Sequence, residues 1–142
     1  MSILNLKHKN NSNEIQVKAG HDAYLKNLSC LHYRSIGIDK INNKVIGQDN
    51  IIQKSTNLKI KYDIRFHLYP GLTAVQTIGG NTLLIQINKN KALLFSTNEK
   101  NLKIEKSIFF GGQKVLDNYC ILISGIMEND EKTINWEIIK KI

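Results

Sequence analysis

Proline is almost missing from this sequence: Pro70 is the only one among 142 residues. No Pro-rich or Ser/Gly-rich stretch marks a linker, no repeat is visible, and the length falls within the ~100–200 residues of one domain. Residues 1–142 are therefore expected to form a single domain. Cysteine is nearly as scarce. Cys30 and Cys120 lie in the apolar contexts LSCL and YCIL, which suits reduced core side chains better than a bridge. No stretch approaches ~18 uninterrupted apolar residues, so no membrane span is expected. The opening MSILNLKHKN lacks the apolar core and small-residue cleavage site of a signal peptide, which leaves localisation open. Arginine is rare too. Arg34 and Arg65 are the only two, so the net charge of +8 is carried by lysines scattered over turns and polar faces. Nucleic-acid binders cluster arginine or interleave basic and aromatic residues, so nucleic acid is not the expected partner. The charge suits an acidic polymer, and equally a solvated basic surface.

What the chain does have is alternation. In NLKIKYDIRFHLYP, Asn57 to Pro70, the residues Ile60, Tyr62, Ile64, Phe66 and Leu68 fall on every second position. This predicts one long strand over 58–69 with an apolar and a polar face, ended by Pro70 and Gly71. Shorter strands are expected at Ile3–Lys9, Glu14–Ala19, Leu31–Asp39, Lys44–Ile52, Thr73–Ile78, Thr82–Asn88, Ala92–Ser96, Leu102–Glu105, Lys106–Phe110, Tyr119–Gly125 and Thr133–Ile139. Gly20–Tyr24 reads as a tight corner, and Gly79-Gly80-Asn81 as a hairpin turn. No segment carries a 3.6-residue period. The expected fold is all-β: an antiparallel β-sandwich of about ten to twelve short strands, part of a sandwich domain.

Few residues carry chemistry. The sequence has no CxxC and no serine nucleophile elbow, and neither glycine pair opens a helix to cradle phosphate. His21, His32 and His67 have no spacing typical of a local metal motif, so no metal ligand is assigned. GHDAY, Gly20–Tyr24, combines an imidazole, a carboxylate and a phenol; Asp22 could fix the tautomer of His21 or simply cap backbone N–H groups at the corner. His32 and Arg34 share one face of a strand, and Arg65 and His67 share a face of another. Such His/Arg pairs suit a carboxylate or sulfate, or else cross-strand pairing with Asp or Glu. The candidate substrate-binding residues are His21, Tyr24, His32, Arg34, Arg65 and His67. Trp136, alternating with isoleucines, is expected in the core.

The stretches GHDAYLKNLSCLHYRSI, IGQDNI, IRFHLYPG, LKIEKSIFFGG and ILISG followed by INWEI resemble, in this order, the C-terminal β-sandwich region of the heparinase II/III family of bacterial polysaccharide lyases. The likeness runs from about Glu14 to Ile139. It departs from the family pattern at Ala23, usually Gly, at Ser35, often Arg, and at Tyr69, usually His. The resemblance implies β-elimination on a uronic-acid-containing polysaccharide, with no cofactor and, in the intact family, a structural metal near the cleft. It also implies an upstream helical domain, or a partner chain, bearing most of the catalytic residues and the metal-binding His and Asp. None of those motifs is found here, so the chain is expected to be a C-terminal portion without a complete active site. A stand-alone glycan-binding or structural sandwich module is the alternative.

Overall fold

A computed structural model describes residues 1–55 and 59–141. Among them are eleven strands and one short helix: β1 Ile3–Asn10, β2 Glu14–His21, α1 Leu25–Leu28, β3 Cys30–Asp39, β4 Lys44–Gln53, β5 Lys61–His67, β6 Thr73–Gln76, β7 Thr82–Asn88, β8 Lys91–Thr97, β9 Leu102–Gly111, β10 Lys114–Ile126 and β11 Glu131–Lys141. The fold is all-β, with open antiparallel sheets, as a partial sandwich requires. Contacts group the chain into two compact units. One comprises Met1–Lys61 with Ile126–Ile138, the other Tyr62–Gly125 with the residues from Ile139.

In the first unit the strand order is β1-β2-β3-β4-β11. Alternation dictates its two faces. Gln48 bonds Asn135, Asn50 bonds Glu131 and Thr133, and Lys44 pairs with Glu137, so one face of β4 and β11 is polar. The other face carries Asp49, Ile51, Ile134 and Trp136, all buried. The same face continues onto β1–β3 with Ile3, Val17 and Ile36, which are exposed. Gly47 makes room for this packing: a Cβ there would fall inside the Trp136 indole. The register of β1 against β2 shifts between Leu4 and Lys7, where Asn5 takes φ 48°. Asn tolerates that left-handed conformation, and the shift is a bulge.

In the second unit the strand orders are β8-β7-β6 and β5-β10-β9. Phe66 of β5 meets Phe95 of β8 edge-on, with ring centroids 5.1 Å apart. Leu83, Ile85, Phe95, Leu102, Ile121 and Ile123 are buried in this unit. Each fully buried side chain of this kind contributes about 1.5–3 kcal/mol against the entropy of ordering the chain. Cys120 to Ile123 are buried without alternation, matching the apolar run of β10. Cys30 and Cys120 are both free thiols and both buried.

Three expectations are corrected. The long strand over 58–69 is the seven-residue β5; Asn57 and Leu58 lie outside the described residues. Leu68 N–H still bonds Tyr119 O, and the chain then turns at Gly71, φ 90°, with Leu72 N–H on Tyr69 O. Leu102–Gly111 is one strand rather than two, paired without interruption along β10. The corner after β2 holds one turn of helix, α1, closed by Ser29 at φ 53°. Four residues are too few for a 3.6-residue period to register.

Candidate functional site

The register of the first unit assembles the site. His21 of β2 pairs directly with His32 of β3, and Arg34 of β3 pairs directly with Asp49 of β4. Residues opposite one another on a sheet face stand about 4.5–5.5 Å apart at Cβ, and diagonal neighbours remain within reach of long side chains. His32 Nε2 therefore reaches Asp49 Oδ1 at 2.7 Å. Arg34 makes a fork onto the same carboxylate, Nε to Oδ1 at 2.7 Å and Nη2 to Oδ2 at 3.1 Å. Trp136 Nε1 donates to Oδ2 at 3.0 Å. Asp49 has no exposed surface, and three side chains from two neighbouring strands converge on it.

The histidines continue the chain outward. Ala23 N–H donates to His21 Nδ1 at 3.3 Å, which leaves that nitrogen unprotonated. The neutral ring then carries its proton on Nε2, 3.1 Å from His32 Nδ1, and donates it there. His32 in turn has its proton on Nε2, facing Asp49. The direction is thus fixed from Ala23 through both rings to the carboxylate. A proton added to His21 Nδ1 would face the Ala23 N–H. Burial first, and His32 second, hold the His21 imidazole below its usual pKa, against a smaller opposing pull from Asp22. Burial alone would raise the Asp49 carboxyl, but the bonds from His32, Arg34 and Trp136 and the Arg34 charge outweigh it, and the group lies below the usual carboxylate range.

The other sequence candidates fall in different surroundings. Tyr24 is half exposed, its ring 5.3 Å from that of His21. Asp22 does not orient His21; it accepts the Ser2 backbone N–H at 2.6 Å. Arg65 and His67 belong to the second unit and share the polar face of β5 as expected. Arg65 pairs with Asp63 at 3.0 Å and Glu105 at 3.9 Å, and His67 Nδ1 lies 3.4 Å from Ser107 Oγ. Both arginines thus meet carboxylates, Arg34 a fully buried one and Arg65 two exposed ones. Among the described residues no three or more His, Cys, Asp or Glu are arranged to hold a metal ion. The ring nitrogens of His21 and His32 face each other and Asp49 rather than a common point.

Asp49 was not among the residues singled out by sequence. It lies in IGQDNI in phase with Ile51 and Gln53, an acid on an otherwise buried strand face. That phase was the available signal.

Solved structures share this fold. The heparan sulfate lyase HepC from Pedobacter heparinus superimposes with a TM-score of 0.80 at 12% identity, covering 97% of this chain and 21% of that one. A mutant of HepC gives 0.78 at 12% identity with the same coverage. A heparinase III with methylated lysines gives 0.72 at 11% identity, covering 96% of this chain and 21% of its own. The fold is therefore one that such lyases carry within much longer chains, and this chain spans about a fifth of their length. No curated protein sequence matches it. The family profile described as heparinase II/III-like, C-terminal, matches residues 2–137, and the chain belongs to that family.

Proposed function

We propose that this chain is the C-terminal β-sandwich portion of a heparinase II/III-like polysaccharide lyase, serving as support and wall of the substrate cleft while the full catalytic set lies outside it. The observation that carries this reading is the closure of the Asp49 array. β-Elimination needs a base for the proton beside the uronate carboxylate, an acid for the departing glycosidic oxygen, and groups that stabilise the anionic intermediate. In this chain His32 and Arg34 are engaged by Asp49, and both nitrogens of His21 are occupied by Ala23 and His32. The array thus acts as a brace across β2, β3 and β4. The exposed apolar side chains Ile3, Leu6, Val17 and Ile36 on the same sheet face support a second layer there, supplied by the preceding part of the lyase. The reading requires no cofactor and assigns no metal to His21, His32 or His67. Heparan sulfate, heparin and alginate incubated with the chain alone should yield no unsaturated-product absorbance. Robust turnover would refute the claim that the catalytic set is incomplete.

One observation favours a second reading, a glycan-binding module. Tyr69, 70% exposed, follows Arg65 and His67 along one strand end. Binding on a glycan array that survives the Arg65→Ala, His67→Ala double variant would remove that site.

A further inference from the structure

Strand β5 is an edge strand. Among the described residues it pairs with β10 alone, in the order β5-β10-β9. Its register is fixed at both ends. Ile60 O accepts the Met127 N–H at 2.8 Å, and Leu68 N–H donates to Tyr119 O at 2.9 Å. The two bonds are equally spaced along both segments, so no bulge intervenes. In an antiparallel ladder every second residue turns its N–H and C=O toward the same neighbour. The even-numbered residues from Ile60 to Leu68 therefore face β10. Lys61, Asp63, Arg65 and His67 turn their peptide groups to the free edge.

An open edge is a template for another strand, and proteins blunt the edges they leave free. The other edges of this chain are blunted. β1 carries a bulge after Leu4, with Lys7 and Lys9 beyond it. β6 has only four residues. β9 is capped at its start by Gln76, whose Nε2 donates to Leu102 O at 2.9 Å. β5 has seven residues, with no proline and no residue at positive φ. Its long polar side chains do not screen the edge either. Arg65 Nη2 reaches Glu105 of β9 at 3.9 Å, and His67 Nδ1 lies 3.4 Å from Ser107 Oγ of β9. β10 runs between β5 and β9, so both side chains lean inward across it. The register sets Arg65 opposite Leu122 and His67 opposite Cys120, and both of these are buried.

We propose that the free edge of β5 receives a β-strand from the preceding part of the lyase, bonded to the main chain of Asp63, Arg65 and His67. This junction rests on the cleft-wall reading and names the atoms by which the preceding part attaches to the second unit. The solved lyases carry this fold as about a fifth of their length, so ample chain lies outside it to supply the strand. The incoming strand alternates, with apolar residues level with the buried Tyr62 and Ile64 and polar ones level with Asp63 and Arg65.

Amide-resolved hydrogen–deuterium exchange tests the junction, on the chain alone and with the polypeptide encoded directly before it added. In the chain alone the Asp63, Arg65 and His67 amides should exchange at least about tenfold faster than those of Tyr62, Ile64 and Phe66, which face β10. With the preceding polypeptide bound, the three should slow by about tenfold or more. Arg65→Pro deletes one outward N–H, a change that an edge strand tolerates, and should weaken association at least about tenfold. Arg65→Ala, which keeps that N–H, should leave association within about threefold of the parent. Exchange in the parent decides the question if Arg65→Pro fails to fold. Slow exchange at all three amides in the chain alone overturns the proposal. So does a complex in which they stay fast, or one that Arg65→Pro leaves as tight as the parent; the cleft-wall reading then stands. If the two polypeptides do not associate, both fall. If the complex protects the edge yet cleaves no heparan sulfate, heparin or alginate, the lyase reading falls and the junction stands.

Discussion

Replacing Asp49 tests whether the first unit is braced by the array. The carboxylate accepts four hydrogen bonds from His32, Arg34 and Trp136 and is fully buried. Asp49→Ala removes all four of these acceptor contacts at once and takes the carboxylate charge away from the guanidinium. Deleting one partner of a buried ion pair costs about 3–5 kcal/mol. The Arg34 side chain is 36% exposed, so water can rehydrate part of it, and the lower end, about 3 kcal/mol, applies. Against a total stability of about 5–15 kcal/mol that is a large fraction. It corresponds to a fall in melting temperature of roughly 10 °C for a chain of this size. Trp136 is the sole tryptophan and donates to Asp49, so its fluorescence reports on this site during urea or thermal unfolding. The pH dependence supplies a second check. Asp49 has a lowered pKa in the folded protein, so its stabilisation is complete above the unfolded value of about 3.9 and is lost as pH falls through the lower folded value. The gap between parent and Asp49→Ala should therefore hold steady from neutral pH down to about pH 5 and shrink only in stronger acid. A variant within about 0.5 kcal/mol of the parent at neutral pH would refute the brace, since that is the range of an inconsequential surface change.

Gly47→Ala should also destabilise the first unit, by about 1–3 kcal/mol, because its methyl would enter the Trp136 indole. The same fluorescence should show the indole displaced, and an unchanged spectrum and midpoint would contradict the packing. Burial raises the thiol pKa of both Cys30 and Cys120, so neither should react with a thiol reagent until the protein unfolds. Prompt modification of either in the native state would contradict its placement.

Strand existence was legible because alternation is local. The alternation marks Thr82–Asn88 to the residue, and β1, β2, β3, β4, β8 and β11 within a few positions. Strand ends were less so, for a physical reason. Side-chain alternation reports which face a residue takes, whereas a strand is defined by its ladder of hydrogen bonds. Ile60 keeps the phase of β5 and is buried, yet it lies before the strand, with its carbonyl accepting Met127 N–H. The one-turn helix α1 left no periodic trace at all.

The candidate site was half legible, and its missing half is instructive. His21, His32 and Arg34 stand out in the sequence by residue type and, for His32 and Arg34, by shared face. Asp49 does not stand out in the same way because its role depends on register: Arg34 against Asp49 and His21 against His32 are facts about pairs of strands, and sequence periodicity fixes only single strands. A one-residue slip of β3 against its neighbours would turn His32 and Arg34 to the opposite face and leave Asp49 buried without a cation. The array is therefore a consequence of correct pairing and also a penalty on incorrect pairing. That second role explains why a buried carboxylate is tolerated in the middle of an apolar sheet face, where a leucine would satisfy packing but would not discriminate between registers.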